Sequence, residues 1–185
     1  KFPFVPGYSN IGKVIGLGDG VAASWLGARV AALAPHAAFV TAGANRICRV
    51  PETVSADQAA FASVAQIVAN GVRRSQLQWG ECVIVYGMGL LGQLTARFCR
   101  LAGARPVFAV DPDERRRKLL PCDSGIIPVA PGREPLADLV RRHNHGRLAD
   151  LVFEVTGRGD LIPHEFEAIR PQGRLVLLSS PQGSS

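Results

Sequence analysis

A glycine-rich segment near the middle of the chain has the spacing of a phosphate-binding turn. The segment Gly87–Gly92 reads G-M-G-L-L-G, and the apolar run Cys82–Tyr86 leads directly into it. In a turn of the type G-x-G-x-x-G, Gly87 permits the tight bend, Gly89 lets a pyrophosphate approach the backbone, and Gly92 lets helix and strand pack closely. Because a strand precedes the segment and a helical pattern follows it, we predict a dinucleotide site here rather than a glycine-rich turn without a ligand.

The helix that follows this turn begins with backbone donors that no residue within the helix can satisfy. The amides of Leu90, Leu91 and Gly92 would point at the phosphates from the helix N-terminus, where the helix dipole favours negative charge. We therefore predict that Leu90 and Leu91 bind the cofactor through their backbone, together with the three glycines.

A carboxylate stands at the position expected for a ribose contact. Asp111 follows the apolar run Val107–Val110, and its distance from Gly92 is close to the roughly 20 residues expected for that contact. A carboxylate there accepts hydrogen bonds from the ribose hydroxyls and repels a 2′-phosphate, which favours NAD over NADP. Arg115–Arg117 could instead hold a 2′-phosphate. We weigh Asp111 more heavily because its repulsion acts at the phosphate itself.

The elements that would position these residues form a doubly wound parallel sheet. Five short, continuously apolar runs suit strands buried on both faces: Cys82–Tyr86, Val107–Val110, Ile126–Val129, Leu151–Val155 and Leu175–Leu178. Helical patterns lie between them at about 89–102, 112–120, 134–145 and 160–170. Strands that alternate with helices predict an α/β fold with right-handed crossovers.

The first part of the chain is predicted to be β structure followed by helix. Short apolar or alternating runs predict strands at Phe2–Val5, Gly12–Leu17, Ala28–Leu33 and Ala38–Thr41. Ser55 and Gln58 have the spacing of a capping box, in which each satisfies a backbone donor of the other. A helical region with a break is expected from there to about Ser75.

Composition and charge exclude several classes of protein. The 185 residues carry 21 Lys plus Arg against 15 Asp plus Glu, and the aromatic residues do not alternate with the arginine clusters, so we expect no nucleic-acid partner. No run of about 18 apolar residues is present, which predicts no membrane span. No C-x-x-C pair is present, and Cys82 and Cys99 lie in apolar patterns typical of buried thiols. With no signal peptide visible, we expect a cytoplasmic protein.

Four further segments resemble the medium-chain dehydrogenase/reductase family, in its alcohol and polyol dehydrogenase branch. Pro6–Gly18 resembles the family's stretch P-G-H-E-x-x-G-x-V-x-x-x-G, and Gly27–Val30 resembles its G-D-R-V. Phe153–Gly157 resembles the loop after the fourth strand of the cofactor domain, and Pro171–Ser180 resembles the ending that contains the fifth strand. The resemblance covers nearly the whole chain.

The resemblance implies two domains and a longer protein. Residues 1–78 would be part of a β-rich catalytic domain, and residues 79–185 an NAD-binding Rossmann domain. The family's first zinc-ligand Cys would precede Lys1, and its last cofactor-domain strand and closing catalytic segment would follow Ser185. We therefore expect the chain to be a portion of a family member.

The residues at the family's zinc-ligand positions differ in this chain. Tyr8 stands where the family has the His of P-G-H-E, Ser63 aligns with a later ligand, and the four-Cys lobe of the structural zinc is absent. Because catalytic zinc needs about three nitrogen, sulfur or carboxylate ligands, we expect none here. A hydroxyl such as that of Tyr8, Ser9 or Ser63 would then donate a hydrogen bond to the developing alkoxide. The alternative is that Tyr8 only packs in a vestigial metal site.

The activity implied is NAD(H)-dependent hydride transfer between nicotinamide and an alcohol/carbonyl pair. Arg116 resembles the family's basic ribose contact, Thr156 would lie near the cofactor, and Ser180 would offer its backbone to the nicotinamide carboxamide. The implied partners are a small-molecule alcohol or carbonyl substrate and further copies of the chain in a homo-oligomer. Two alternatives stay open, a zinc-free quinone or enone reductase that uses NADPH and a non-catalytic NAD-binding protein.

Overall fold

Three short strands form an antiparallel sheet in the first part of this computed structural model. They are β1 (Asn10–Lys13), β2 (Arg29–Ala32) and β3 (Ile47–Arg49), with β2 in the centre. Val30 of β2 pairs with Arg49 of β3. The structure describes residues 7–121 and 125–179, so the predicted strand Phe2–Val5 lies outside the described residues.

The predicted strand at Ala38–Thr41 is wrong. Phe39 in this segment is 79% exposed, and both edges of β2 are already paired, one with β1 and the other with β3. A short apolar run becomes a strand only where its backbone donors and acceptors find a partner. The residues Ile47–Arg49 take that place, although their mixed apolar and basic character did not indicate a strand.

The predicted capping box and interrupted helix are confirmed. Ser55 Oγ accepts a hydrogen bond from the Gln58 N–H at 3.2 Å, and the Ser55 N–H donates to Gln58 Oε1 at 3.1 Å. Helix α1 (Ala56–Ala59) follows directly. After a break at residues 60–61, helix α2 extends over Ala62–Arg74.

Five parallel strands form a second sheet, as their continuously apolar sequences predict. They are β4 (Val83–Tyr86), β5 (Val107–Val110), β6 (Ile126–Val129), β7 (Ala149–Glu154) and β8 (Ile169–Leu177). Their spatial order is β6-β5-β4-β7-β8. The predicted α/β fold, a doubly wound parallel sheet preceded by a small β sheet, is confirmed.

Among the described residues, four α-helices lie between these strands, and each is shorter than predicted. They are α3 (Leu90–Leu101), α4 (Glu114–Arg117), α5 (Leu136–His143) and α6 (Ile162–Glu167). The Asp113 side chain accepts the Arg115 N–H at 2.8 Å, so α4 begins after Asp113 and not at Pro112. Strand β8 begins at Ile169, within the range predicted to be helical, because Ile169 pairs with Ala149 of β7.

Both faces of the parallel sheet are covered. Along β4, Val83 packs with apolar residues of α2 and α3, whereas Ile84 packs with Val140 of α5 on the opposite face. Cys82 and Cys99 are fully buried, and burial raises the pKa of each thiol to about 12. The prediction that these two thiols act as buried apolar groups is confirmed.

The chain divides into two compact units, Lys1–Ile67 and Val68–Ser185. The division falls within α2. The predicted boundary between functional domains, after residue 78, stays a prediction. Within residues 7–121 and 125–179, no helix is long and apolar enough to cross a membrane.

Among the described residues of the second unit, two glutamate side chains are fully buried. Glu154 ends β7, and Glu165 lies on α6. Neither oxygen of Glu165 has a hydrogen-bond partner among the described residues. Burial, and then the neighbouring Glu154 charge, raises the pKa of the Glu165 carboxyl to about 7. Glu165 therefore keeps its proton at pH values where an exposed glutamate has lost it.

We predict that the substitution Glu165→Gln makes the free energy of unfolding less dependent on pH. In the unfolded chain a glutamate loses its proton near the ordinary pKa of 4.5, whereas folded Glu165 keeps it to about pH 7. The wild-type protein should therefore lose stability relative to the variant as the pH rises through this window, by about 3 kcal/mol. Urea unfolding at several pH values across the window measures the difference.

The matched control is Glu167→Gln, because Glu167 is an exposed glutamate on the same helix. It should leave the pH dependence of unfolding unchanged. The same pH dependence in wild-type protein and in Glu165→Gln would contradict the prediction.

Candidate functional site

The parallel sheet has a position at which the strand order reverses direction. From β4 the chain continues to β5 on one side, and it later returns as β7 on the other side of β4. In open α/β sheets, ligands bind outside the carboxyl ends of the strands at such a position. We call this place the β4/β7 crevice. The loops after β4 and β7 flank it.

The three glycines of the turn after β4 serve three different needs. Gly87 has a φ of +90°, and a Cβ there would lie 2.9 Å from Thr156 Cγ2 in the loop after β7. A Cβ on Gly92 would lie 1.7 Å from the carbonyl oxygen of Gly87, so only glycine lets α3 pack this closely. A Cβ on Gly89 would meet no atom of its surroundings within 4 Å. Gly89 therefore leaves room for a group to approach the backbone.

Helix α3 begins immediately after Gly89, and no described side chain caps its N-terminus. Leu90, Leu91 and Gly92 occupy the first three helical positions, whose N–H groups have no acceptor within the helix. The first intrahelical bond runs from the Gln93 N–H to the Gly89 carbonyl oxygen at 2.9 Å. The donors predicted to bind phosphate are thus present at the turn, and their contact with a cofactor stays a prediction.

Asp111 joins the glycine turn to the loop after β5. Its side chain is only 2% exposed, and its two carboxylate oxygens accept hydrogen bonds from the Met88 N–H and the Asp113 N–H, each at 2.7 Å. Sequence spacing pointed to a ribose contact and did not reveal this role in holding the turn. Oδ2 also lies 3.5 Å from Arg116 Nη1, so Oδ1 is the oxygen that can still accept a further hydrogen bond, because a carboxylate oxygen has about two acceptor positions.

Two arginines contact Asp111, and a third pairs with Asp113. Arg116 Nη1 lies 3.5 Å from Asp111 Oδ2, and Arg117 donates to the carbonyl oxygen of Asp111. Arg115 pairs with Asp113 at 3.1 Å, and this hydrogen bond lowers the pKa of the Asp113 carboxyl. The structure therefore places Arg116 beside Asp111, and its contact with ribose stays a prediction.

Glu154 is a site residue to which sequence reasoning assigned no role. Its carboxylate accepts hydrogen bonds from the N–H and the hydroxyl of Thr156 and from the hydroxyl of Ser179. The available signal was an acidic residue within the otherwise apolar run Leu151–Val155.

The predicted contact Thr156 lies next to Gly87, whereas Ser180 lies outside the described residues.

The candidate catalytic hydroxyls differ in exposure. Tyr8 is 50% exposed, and its carbonyl oxygen accepts the Ala34 N–H at 3.1 Å. Ser63 is 8% exposed at the beginning of α2. Among residues 7–121 and 125–179, no group of three or more His, Cys, Asp or Glu side chains is placed to hold a metal ion. The residues described do not fit a zinc site, and the predicted absence of zinc stays a prediction.

Comparison of the sequence with curated proteins finds dehydrogenases. The chain is 30% identical over 139 residues to 2-dehydro-3-deoxy-L-galactonate 5-dehydrogenase of Pseudoalteromonas atlantica, a match that covers 75% of the chain and 40% of the relative. It is 25% identical over 142 residues to (R,R)-butanediol dehydrogenase of Bacillus subtilis, covering 76% of the chain and 40% of the relative. The chain thus spans about two fifths of the length of these relatives.

Solved structures show the same fold. A short chain alcohol dehydrogenase from E. coli CFT073, complexed with NADH, superposes with a TM-score of 0.82 at 20% identity, covering 96% of this chain and 61% of that chain. A mycobacterial protein complexed with NADPH superposes with a TM-score of 0.81 at 24% identity, covering 99% of this chain and 59% of that chain. At these identities the likeness concerns the fold.

The family follows from the sequence match over the second half of the chain. Residues 91–185, from the first turn of α3 to the last residue, match the family of zinc-binding dehydrogenases. The match includes Asp111, Glu154 and Thr156, and it begins inside the glycine turn. The chain therefore belongs to the zinc-binding dehydrogenase family, within the medium-chain dehydrogenases and reductases that its motifs resemble.

Proposed function

We propose that the protein binds NAD(H) in the β4/β7 crevice and catalyses hydride transfer between nicotinamide and an alcohol/carbonyl pair. The observation that carries this proposal is the turn Gly87–Gly92. Its backbone is open at Gly89, and the helix behind it begins without a capping side chain. This is the arrangement that accepts a pyrophosphate. Membership in a dehydrogenase family supports the same conclusion.

The residues of the turn suit the dinucleotide, and each has a defined task. The N–H groups of Leu90, Leu91 and Gly92 would donate to the pyrophosphate, and the dipole of α3 would favour its charge. Asp111 would accept hydrogen bonds from the adenosine ribose, with Arg116 beside it. The bound cofactor supplies the hydride chemistry, and the protein contributes position and electrostatics.

The preference for NAD(H) over NADP(H) rests on Asp111. The carboxylate is held by two backbone N–H groups, so it cannot turn away from a 2′-phosphate. Arg115 and Arg117 are engaged with Asp113 and with the Asp111 carbonyl oxygen, and both would need to leave these partners to bind a phosphate. We therefore propose NAD as the cofactor.

The described residues provide no zinc ligand set, and we propose that a side chain polarises the substrate carbonyl. Tyr8 is the better candidate, because half of it is exposed, whereas Ser63 is buried. A hydroxyl that donates to a developing alkoxide must be able to reach the substrate, and its contribution is typically about 10²-fold or more. We propose Tyr8 as this donor.

The substrate is proposed to be a small hydroxylated molecule. The curated relatives carry the names of dehydrogenases of 2-dehydro-3-deoxy-L-galactonate and of (R,R)-butanediol, which support this class. Assembly of the protein into a homo-oligomer also stays a proposal. Both points concern the whole protein, and the chain spans about two fifths of the length of these relatives.

We predict that Gly89→Ala weakens NADH binding at least tenfold, which corresponds to about 1.4 kcal/mol. The added methyl would meet no atom of the protein and would occupy the place that the pyrophosphate approaches. Its backbone has φ −69°, which alanine adopts freely, so the thermal midpoint should stay unchanged. Fluorescence titration of the full-length protein measures the affinity.

A matched control for this variant is Gly18→Ala, since a Cβ on Gly18 also meets no atom within 4 Å. Gly18 lies outside the turn, so its variant should bind NADH as the wild type does. NADH affinity that is equal in wild-type protein and Gly89→Ala would contradict the assignment of the turn.

We predict that Asp111→Asn shifts the cofactor preference toward NADPH by about tenfold, since it removes the charge that repels a 2′-phosphate. The amide oxygen can still accept one of the two backbone hydrogen bonds. Titrations with NADH and NADPH give the ratio of the two dissociation constants. Asp138→Asn, which removes an exposed charge on α5, serves as the control. An unaltered ratio in Asp111→Asn would leave no role for this carboxylate in selecting NAD.

We predict that Tyr8→Phe lowers the single-turnover rate of hydride transfer by about 10². The measurement uses the full-length protein and an alcohol that it oxidises, and Ser63→Ala serves as the control that should change the rate little. An unchanged rate in Tyr8→Phe would mean that Tyr8 only packs. Stoichiometric zinc in the purified protein would assign carbonyl polarisation to the metal instead.

A further inference from the structure

The loop after β7 is held by one buried carboxylate. Glu154 is the last residue of β7 and is fully buried. Its Oε1 accepts hydrogen bonds from the Thr156 N–H at 2.5 Å and from the Gly157 N–H at 3.1 Å, and it also accepts from the Thr156 hydroxyl. A carboxylate group can accept from all of these donors at once.

The same carboxylate reaches the segment after β8. The Ser179 hydroxyl donates to Glu154 Oε2, and Ser179 Oγ in turn accepts the Gly157 N–H at 3.1 Å. The Leu178 N–H donates to the Glu154 carbonyl oxygen at 3.0 Å. The loop after β7 and the end of β8 are therefore joined through Glu154.

The joined segments lie against the glycine turn. A Cβ on Gly87 would be 2.9 Å from Thr156 Cγ2 and 3.3 Å from the Thr156 nitrogen, so the turn and the loop have no space between them. A displacement of Thr156 toward the turn would therefore also displace Gly87. In this way Glu154 fixes the wall of the β4/β7 crevice that faces the turn.

We propose that Glu154 is a positioning residue of the dinucleotide site, which holds Thr156, Gly157 and Ser179 in the arrangement that the cofactor requires. This inference rests on the proposed function. Glu154 is too buried to touch the cofactor, and it acts through the loop donors that it orders. An ionised carboxylate is suited to the task because it presents acceptors only, whereas an amide would turn an NH₂ group toward one of these donors.

Glu165 makes the arrangement sensitive to pH. Its carboxyl is fully buried without a hydrogen-bond partner among the described residues, and it interacts electrostatically with Glu154 of β7 and Tyr86 of β4. Exposed Glu167 lies on the same helix. Burial and the Glu154 charge raise the pKa of Glu165 to about 7. Above that pH a second buried negative charge appears beside Glu154, and we expect it to disturb the network and weaken cofactor binding.

The first test measures NADH affinity of the full-length protein at pH 6 for wild type and Glu154→Gln. We expect the variant to bind about tenfold more weakly. Ser179→Ala should weaken binding about threefold in the wild-type background and have no effect in the Glu154→Gln background, because both changes interrupt one network. If Glu154→Gln does not fold, the NADH affinity of Ser179→Ala alone tests the inference. Wild-type affinity in whichever of these variants folds would overturn the inference.

The second test separates positioning from a merely structural role. Wild-type NADH affinity should fall severalfold between pH 6 and pH 8, the substitution Glu165→Gln should remove this fall, and Glu167→Gln should retain it. An identical pH profile in wild type and Glu165→Gln would overturn the coupling of Glu165 to the site. Wild-type protein that binds neither NADH nor NADPH at either pH would instead contradict the proposed function itself.

Discussion

The candidate site depends on the close approach of Gly92 to the carbonyl oxygen of Gly87. A Cβ on Gly92 would lie 1.7 Å from that oxygen, so the absence of a side chain is what lets α3 begin directly behind the turn. With the helix in this position, its N-terminus lies at the carboxyl end of β4, and Gly89 stays clear of neighbouring atoms. Any larger residue at position 92 would displace the helix, and with it every donor of the site.

The two strands beside β4 stabilise this turn by the same means. Asp111 follows β5 and accepts the Met88 N–H of the turn, and Glu154 ends β7 and accepts the Thr156 N–H of the loop that contacts the turn. Both carboxylates are buried. Backbone N–H groups at the edge of a sheet must find acceptors, and a carboxylate satisfies several of them at once. The crevice therefore has a charged acceptor on each side.

Under the proposed function, the two units would provide different parts of a dehydrogenase. Cofactor binding depends mainly on backbone geometry, which one βαβ unit with its glycines can supply, and Val68–Ser185 contains such a unit. Chemistry at a carbonyl requires side chains that converge on one atom. Among the described residues of Lys1–Ile67, Tyr8 and Ser63 stand at the positions where the family would have metal ligands, and they differ in exposure. The proposed cofactor turn therefore depends on backbone within Val68–Ser185, whereas the proposed carbonyl chemistry depends on the side chain of Tyr8.

Sequence alone determined the strands, helix starts and turns that depend on neighbouring residues in the chain. The parallel strands follow from continuous apolar runs, the start of α1 from the Ser55 capping box, and the turn Gly87–Gly92 from glycine spacing, because each depends on residues close together in the chain. It also predicted the burial of Cys82 and Cys99, since apolar runs on a doubly covered sheet are buried.

The tertiary structure decided what depends on partners distant in the chain. Ile47–Arg49 became the third strand, and Ala38–Thr41 did not, because pairing with β2 selects a strand more strongly than its own apolar character does. Asp111 also bonds to Met88 and Glu154 to Ser179, each more than twenty positions away, which no local pattern encodes. The raised pKa of Glu165 likewise exists only because packing removes its carboxyl from water.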